Sequence, residues 1–206
     1  MSRRKVFFKG IHYRNRLVYN IFTFLKLRTA YTVRYKIAAR YIEAGSSVLD
    51  VCSGSGELKE FLPSGCTYTG IDASPEFIAN LSKKSVPHRH MNLHNGISPA
   101  TFQADIVVMI ISLAQFRHTS VDTLLEDFKK IAKRVIIIED VVAKQTKIHT
   151  FIRPIMNYVS ATDYYVPGEL FTMNEFEHLM RAHHYQCIKE GNRYYVGYYD
   201  TGEQRR

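Results

Sequence analysis

The stretch Ser47-Val48-Leu49-Asp50-Val51-Cys52-Ser53-Gly54-Ser55-Gly56 constrains this chain more than any other. Ser47 to Val51 is a short, mostly apolar, β-branched run, the pattern of a buried strand. It passes into five small residues, Cys52 to Gly56. A short helical pattern follows at once, Glu57 to Leu62, and Pro63 stops it. Strand, small-residue turn and helix in that order is how an α/β sheet builds a ligand site. The glycines let a ligand approach the backbone, and the helix N-terminus offers unpaired N–H groups.

Spacing separates the ligands such a turn could serve. A dinucleotide fingerprint needs a third glycine three residues after Gly56, where this chain has Lys59. The close helix–strand packing which that glycine permits is therefore missing. The phosphate loop Gly-x-x-x-x-Gly-Lys-Ser/Thr is absent as well. What remains is Asp-x-x-x-Gly-x-Gly, then a second strand, Thr67 to Ile71, ending at Asp72. A carboxylate about 20 residues on is placed to accept hydrogen bonds from ribose hydroxyls.

Val48-Leu49-Asp50-Val51-Cys52-Ser53-Gly54-Ser55-Gly56 and Tyr68-Thr69-Gly70-Ile71-Asp72-Ala73-Ser74 together resemble the first two motifs of class I S-adenosylmethionine (SAM)-dependent methyltransferases. The family pattern is Asp/Glu-x-Gly-x-Gly-x-Gly, and this chain departs from it with Cys52 in place of the first glycine. A side chain there is compatible with the pattern when the backbone is not left-handed, and that is the expectation at Cys52. The resemblance covers residues 45–140, and the rest follows the family's order of elements. It implies an α/β fold: a seven-stranded, mostly parallel, doubly wound sheet with an antiparallel C-terminal strand pair, plus an N-terminal helical cap. It implies SAM as cofactor. The backbone of Cys52, Ser53, Gly54, Ser55 and Gly56 would face the methionine part, with Asp50 orienting the site. Asp72 would bind the ribose, with Ala73 beside the adenine. Asn92 and Leu93 match the position after the third strand that reaches the adenine, and Ile110 lies in the fourth motif, which begins at Ala104-Asp105.

Further along, Ser74-Pro75 reads as an N-cap followed by proline at the first helical position, with Phe77, Ile78 and Leu81 as the buried face. Pro87 to Leu93 is a weak third strand. Its histidines, His88, His90 and His94, lack the spacing of a closed metal site and read as loop residues, so no metal is expected. Asp105 to Ser112 reads as a central parallel strand. Val121, Leu124, Leu125, Phe128, Ile131 and Ala132 form a helical stripe, and Arg134 to Asp140 is a fifth strand. Thr172 and Glu175 form a capping box for a helix over Met173 to Ala182, with Phe171 and Phe176 as its hydrophobic staple. Tyr185 to Lys189 and Arg193 to Tyr199 read as the last two strands, joined by a hairpin turn at Glu190-Gly191-Asn192. Residues 141–170 are an insertion, too apolar for a free loop, of the kind that builds a substrate pocket in this family.

At 206 residues the chain suits one full core. Three scattered cysteines, Cys52, Cys66 and Cys187, without a Cys-x-x-Cys pair, point to reduced thiols and a cytoplasmic setting. The longest apolar run, Ile106 to Ala114, is too short to span a bilayer. Charge is lopsided: residues 1–44 hold eleven lysines and arginines against one acid, Glu43, while the remainder is close to neutral. Aromatics such as Phe7, Phe8, Tyr13 and Tyr19 are interleaved, and Leu17, Ile21, Phe24 and Leu25 share a helical face, as do Ala38, Ala39 and Ile42. Residues 1–44 therefore read as a basic helical cap on a SAM-binding domain spanning 45–206. Such a cap either packs its aromatics on the sheet or also meets an anionic partner, lipid headgroups or RNA.

No catalytic base stands out. His118, His149, Tyr158 and Tyr164 are candidates, each also readable as packing or surface. Met109-Ile110-Ile111-Ser112 occupies the place of the Asp/Asn-Pro-Pro-Tyr/Phe motif that positions an exocyclic amine in base-modifying relatives, which argues against amine methylation on adenine or cytosine. The resulting expectation is methyl transfer to a small, lipid-like acceptor, with peripheral contact to an anionic membrane surface. The alternatives are an RNA or protein methyltransferase that lands through its basic N-terminus, and a SAM-binding protein without catalysis.

Overall fold

The computed structural model describes residues 28–142 and 170–202. In chain order the elements are α1 (Arg28–Arg40), β1 (Ser47–Val51), β2 (Thr67–Asp72), α2 (Pro75–Lys83), β3 (His88–His90), β4 (Ala104–Ile110), α3 (Val121–Ile131), β5 (Ala132–Asp140), α4 (Met173–Ala182), β6 (Gln186–Glu190) and β7 (Tyr194–Asp200). They build one seven-stranded sheet in the order β3-β2-β1-β4-β5-β7-β6. The first five strands of that order run parallel, and β7 pairs antiparallel with both β5 and β6. This is the expected doubly wound sheet with its antiparallel C-terminal pair.

The middle of the sheet is buried on both faces, as parallel strands require. Val107, Val108, Ile136 and Ile137 are wholly inaccessible. One face packs the α3 stripe, Leu124, Leu125, Phe128 and Ile131, together with Phe176 and Met180 of α4. The other packs Tyr35, Ile37 and Ala38 of α1 and Leu81 of α2. Helix caps follow their sequence signals. The Ser74 side chain accepts from the Phe77 N–H ahead of Pro75. Thr172 and Glu175 form the reciprocal capping box, and the Phe171 and Phe176 rings meet edge-on at 6.0 Å.

Some boundaries differ from the sequence pattern, each for a local reason. The helix expected at Glu57 to Leu62 is a five-residue 3₁₀ turn, Glu57–Phe61. The third strand is cut to three residues because Asn92 caps a second 3₁₀ turn, Leu93–Asn95, by accepting from the His94 N–H. β4 ends at Ile110 rather than Ser112, because Ile111 adopts a left-handed backbone with φ 50°.

Helix α1 runs against the parallel strands. Its far end leads to Glu43, which pairs with Arg134 near the start of β5, and to Ser46, whose carbonyl accepts from Thr67 N at the start of β2. The chain thus enters α1 near the carboxyl ends of the parallel strands. It leaves β5 at that same edge and returns there, where Val142 bridges Thr172. Leu17, Ile21, Phe24, Leu25 and nearly all of the insertion 141–170 lie outside the described residues. Among the described residues no helix is long and apolar enough to cross a membrane.

Candidate functional site

From β1 the sheet grows outward to β2 and β3, then the chain crosses to β4 on the other side. The strand order reverses between β1 and β4, and in open α/β sheets ligands bind beyond the carboxyl ends of the strands at that reversal. The two residues flanking the crevice are backbone outliers: Cys52 after β1 has φ 59° and Ile111 after β4 has φ 50°. A left-handed backbone costs a non-glycine residue about 1–3 kcal/mol, and such strain clusters at functional sites. The expectation at Cys52 is therefore corrected. Cysteine stands where the backbone is left-handed, so this chain carries strain that the family's first glycine avoids.

The Asp72 carboxylate ties the loop after β1 to the loop after β2. One oxygen accepts from the Gly54 N–H at 2.9 Å, and the other from the Ser74 N–H at 2.8 Å. Burial pushes the Asp72 carboxyl up, while those backbone donors pull it down. Below this bridge Asp50 is 3% exposed and accepts from the Tyr68 hydroxyl at 2.8 Å. Burial pushes its carboxyl up to about 7, and the Tyr68 hydrogen bond acts against that. The Ser53 hydroxyl and the Tyr68 hydroxyl both crowd over Gly70; a Cβ there would sit 2.8 Å and 3.2 Å from them.

Gly56 closes the loop on the side facing the core. Its φ is 77°, and a Cβ would point inward, 2.6 Å from a Leu81 methyl and 3.4 Å from the Tyr68 hydroxyl. Glycine there lets the loop pack on α2 and β2. Ser55 is buried, and its carbonyl accepts from Lys84. The Ala73 carbonyl meets the His90 ring at 3.0 Å. The Asn92 side-chain oxygen is engaged in its local cap, and Leu93 is buried in the core at 3% exposure. Ile110 is half-buried on the β4 side of the crevice.

Glu139, near the end of β5, is a site residue that the sequence pattern did not single out. It is 1% exposed and accepts from the Leu113 N–H at 2.5 Å, which anchors the 3₁₀ turn Leu113–Phe116 beside the crevice. Burial pushes its carboxyl up to about 8 against the backbone N–H groups that favour its charge. Its one sequence signal is an acid at the end of the apolar run Val135 to Ile138. Burial likewise pushes the Cys52 thiol well above its ordinary value, and the Asp72 and Asp50 carboxylates add to that, which disfavours the thiolate.

Each of the three histidines has a local partner: His88 the Val86 carbonyl, His90 the Ala73 carbonyl, and His94 the Thr119 hydroxyl and the Phe116 ring. Among the described residues no group of three or more His, Cys, Asp or Glu is placed to hold a metal ion. His118 is exposed on the loop after β4, while His149, Tyr158 and Tyr164 lie outside the described residues.

This architecture is the class I methyltransferase fold. A SAM-dependent methyltransferase from Aquifex aeolicus shares it with a TM-score of 0.52 at 16% identity, over 76% of this chain and 82% of that one. Magnesium protoporphyrin IX methyltransferase (ChlM) from Synechocystis PCC 6803, with bound SAH, gives 0.55 at 12% identity, over 83% and 80%. A TehB-like SAM-dependent methyltransferase from Corynebacterium glutamicum gives 0.56 at 12% identity, over 81% and 86%. Among curated proteins none matches in sequence. The pattern of the family described as "Methionine biosynthesis protein MetW" matches residues 33–187, and the chain belongs to that family.

The buried acids set the pH dependence of stability. Asp50 and Glu139 titrate at about 7 and about 8 when folded, and near 4 when unfolded. Between those values the folded state holds more protons than the unfolded one, so stability falls as pH rises. Thermal unfolding should show a midpoint that declines from pH 5 to pH 8. Asp50→Asn, which keeps an acceptor for Tyr68, should flatten that decline and unfold later than the parent at pH 8. An equal slope in both proteins would contradict the assignment.

Proposed function

We propose that this protein is a SAM-dependent methyltransferase acting on a small, lipid-like acceptor at an anionic membrane surface. The observation that carries the reading is the Asp72 bridge beside the β1–β4 crevice. An ionised carboxylate has about four acceptor positions, so two backbone donors leave capacity for a ribose diol. The residues present fit the cofactor on that chemistry: Asp72 is an acceptor-only group for hydroxyls, beside a loop of small residues that a ligand can approach. The solved neighbours, one of them with SAH bound, support the same cofactor.

In this reading SAM supplies an electrophilic methyl group, whose bond to sulfur breaks as the bond to the acceptor's nucleophile forms. The chain's own part is positioning. Asp72 would hold the ribose, and the Cys52 to Gly56 loop, braced by Asp50, Tyr68 and Ser53, would hold the methionine part. The turn anchored by Glu139 would form the acceptor-side wall, excluding water and aligning the reacting atoms. No described residue is assigned as a base. The lipid-surface element rests on the basic, aromatic composition of residues 1–44 and on the entry of α1 at the carboxyl edge. An RNA or protein acceptor reached through the same basic segment is the second reading.

Two measurements test this. In calorimetry the protein should bind S-adenosylhomocysteine, and Asp72→Ala should weaken binding by about 1–3 kcal/mol through lost hydrogen bonds. Unchanged affinity in a folded variant would sink the ribose role. Deleting residues 1–16 should leave that affinity nearly intact while lowering retention on phosphatidylserine vesicles, because each basic residue near such a surface contributes about 1 kcal/mol. Equal vesicle binding by both proteins would remove the membrane reading, and a selective loss of RNA retention would favour the second.

A further inference from the structure

The exit of β4 is stitched to the end of β5 by two ties on consecutive β5 residues. Ile110 and Ile138 are register partners, and the next N–H, that of Ile111, donates to the Ile138 carbonyl at 2.7 Å. Ile111 is left-handed, and β4 ends there. Two residues on, the Leu113 N–H donates to Glu139 Oε1 at 2.5 Å. Between the ties lies Ser112, the residue that precedes the 3₁₀ turn Leu113–Phe116. A serine in that place commonly caps the turn with its own hydroxyl. Here the hydroxyl donates back to the Ile110 carbonyl at 3.1 Å and makes no cap bond. The first N–H groups of a helical turn have no partner inside it, so the cap comes from Glu139 on the neighbouring strand. Strand alternation puts Glu139 on the face of Val135 and Ile137, the face on which Leu113 is buried and Cys52 packs.

A carboxyl is an unusual choice for this cap, because Glu139 is 1% exposed. Burial pushes it up to about 8, the N–H groups of Leu113, Ser112 and Ala114 pull it down, and the charge of Asp140 adds to the rise. No cation is paired with it. Arg193 is taken up by Asp140, and Arg117, just past the turn, by Glu175 and the Leu170 carbonyl. Tyr195, its register partner on β7, turns its hydroxyl to Met173 Sδ at 2.8 Å, and the Cys52 thiol on the β1 loop is held neutral by burial. The charge on Glu139 is therefore balanced by backbone N–H groups of the turn itself. A hydrogen bond to an ionised acceptor is about twice as strong as one to a neutral acceptor, so ionisation tightens this tie.

We propose that Glu139 is a positioning residue for methyl transfer: acting through the Leu113 N–H, it fixes the β4 exit, Ile111 to Phe116, as the acceptor-side wall of the crevice, and holds that wall most tightly when ionised. The inference rests on the methyl-transfer reading and adds a control of that site by pH. Transfer requires the acceptor atom in line with the bond from sulfur to methyl, and a displacement of about 1 Å costs about a hundredfold in rate. Glu139 touches neither cofactor loop. The Cys52 to Gly56 loop and the Ala73–Ser74 turn are held by Asp72 and Asp50 instead. Its effect is therefore on transfer and not on cofactor affinity.

The test compares the full-length protein with Glu139→Gln, which keeps an acceptor for Leu113 and removes the charge, and Glu139→Leu, which removes both. In the parent the Leu113 amide proton should move downfield as pH rises through about 8, and in Glu139→Gln it should stay in place. Deuterium exchange at Leu113 should be near the parent's rate in Glu139→Gln and at least tenfold faster in Glu139→Leu. S-adenosylhomocysteine affinity should remain within twofold in both variants. The transfer assay uses methyl-labelled SAM and a cell lysate, separated after reaction into lipid, RNA, protein and small-molecule fractions. The parent's rate divided by that of Glu139→Gln should rise from pH 7 to pH 9 and reach fivefold or more, a ratio that cancels ionisation of the acceptor itself. A Leu113 shift indifferent to pH, or equal in parent and Glu139→Gln, would overturn the proposal. So would a rate ratio that stays at one, or a Glu139→Gln variant that loses S-adenosylhomocysteine affinity. A parent with the Leu113 titration that puts label into none of the four fractions would keep the tie and defeat the methyl-transfer reading.

Discussion

A single half-buried carboxylate, Asp72, holds together the part of this molecule on which the rest of the site depends. It closes β2 and accepts backbone N–H groups from both loops that leave the sheet beside the crevice, at Gly54 and at Ser74. A hydrogen bond to a charged group contributes about 1.5–3 kcal/mol, and a buried one left unmade costs more than it contributes when made. The bridge therefore fixes the glycine loop relative to the start of α2. The second tier, Asp50 with Tyr68 and Ser53 over Gly70, fixes the same loop from below. A loop of small residues held from two sides is a preformed surface, and it does not have to order itself when a ligand arrives.

The crevice also concentrates features that are unfavourable by themselves. Cys52 and Ile111 are left-handed without being glycine, and Asp50 and Glu139 are carboxyls buried at the carboxyl ends of the strands. Each is tolerated because neighbours over-determine it. The Ile111 N–H still donates to the Ile138 carbonyl at 2.7 Å, and Glu139 collects the Leu113 N–H that the turn would otherwise leave unpaired. Strain of this kind accumulates where function constrains geometry. Two of the stretches outside the described residues, 1–27 and 143–169, join the framework close to this same edge.

Much of the framework was legible in local sequence. Four of the five parallel strands followed from short β-branched runs, and Ser74-Pro75 and Thr172 with Glu175 marked helix starts that the structure keeps. What was not legible depends on partners far along the chain. Nothing local to Cys52 says that its backbone is left-handed, because the loop path is set by Asp72 eighteen residues after Gly54. Nothing local to Gly56 says that Leu81 and Tyr68 fill the space a Cβ would occupy there. The third strand ends short of the Pro87 to Leu93 expectation because Asn92 competes for the backbone and turns the chain.

The central claim is that the loops joined by Asp72 form the cofactor surface. Mapping backbone amide chemical shifts on adding S-adenosylhomocysteine tests it most directly. The account predicts the largest changes at Ser53, Gly54 and Ser55 in the first loop and at Asp72, Ala73 and Ser74 in the second, with little change along β6. Saturable binding whose shift changes bypass both loops would contradict it.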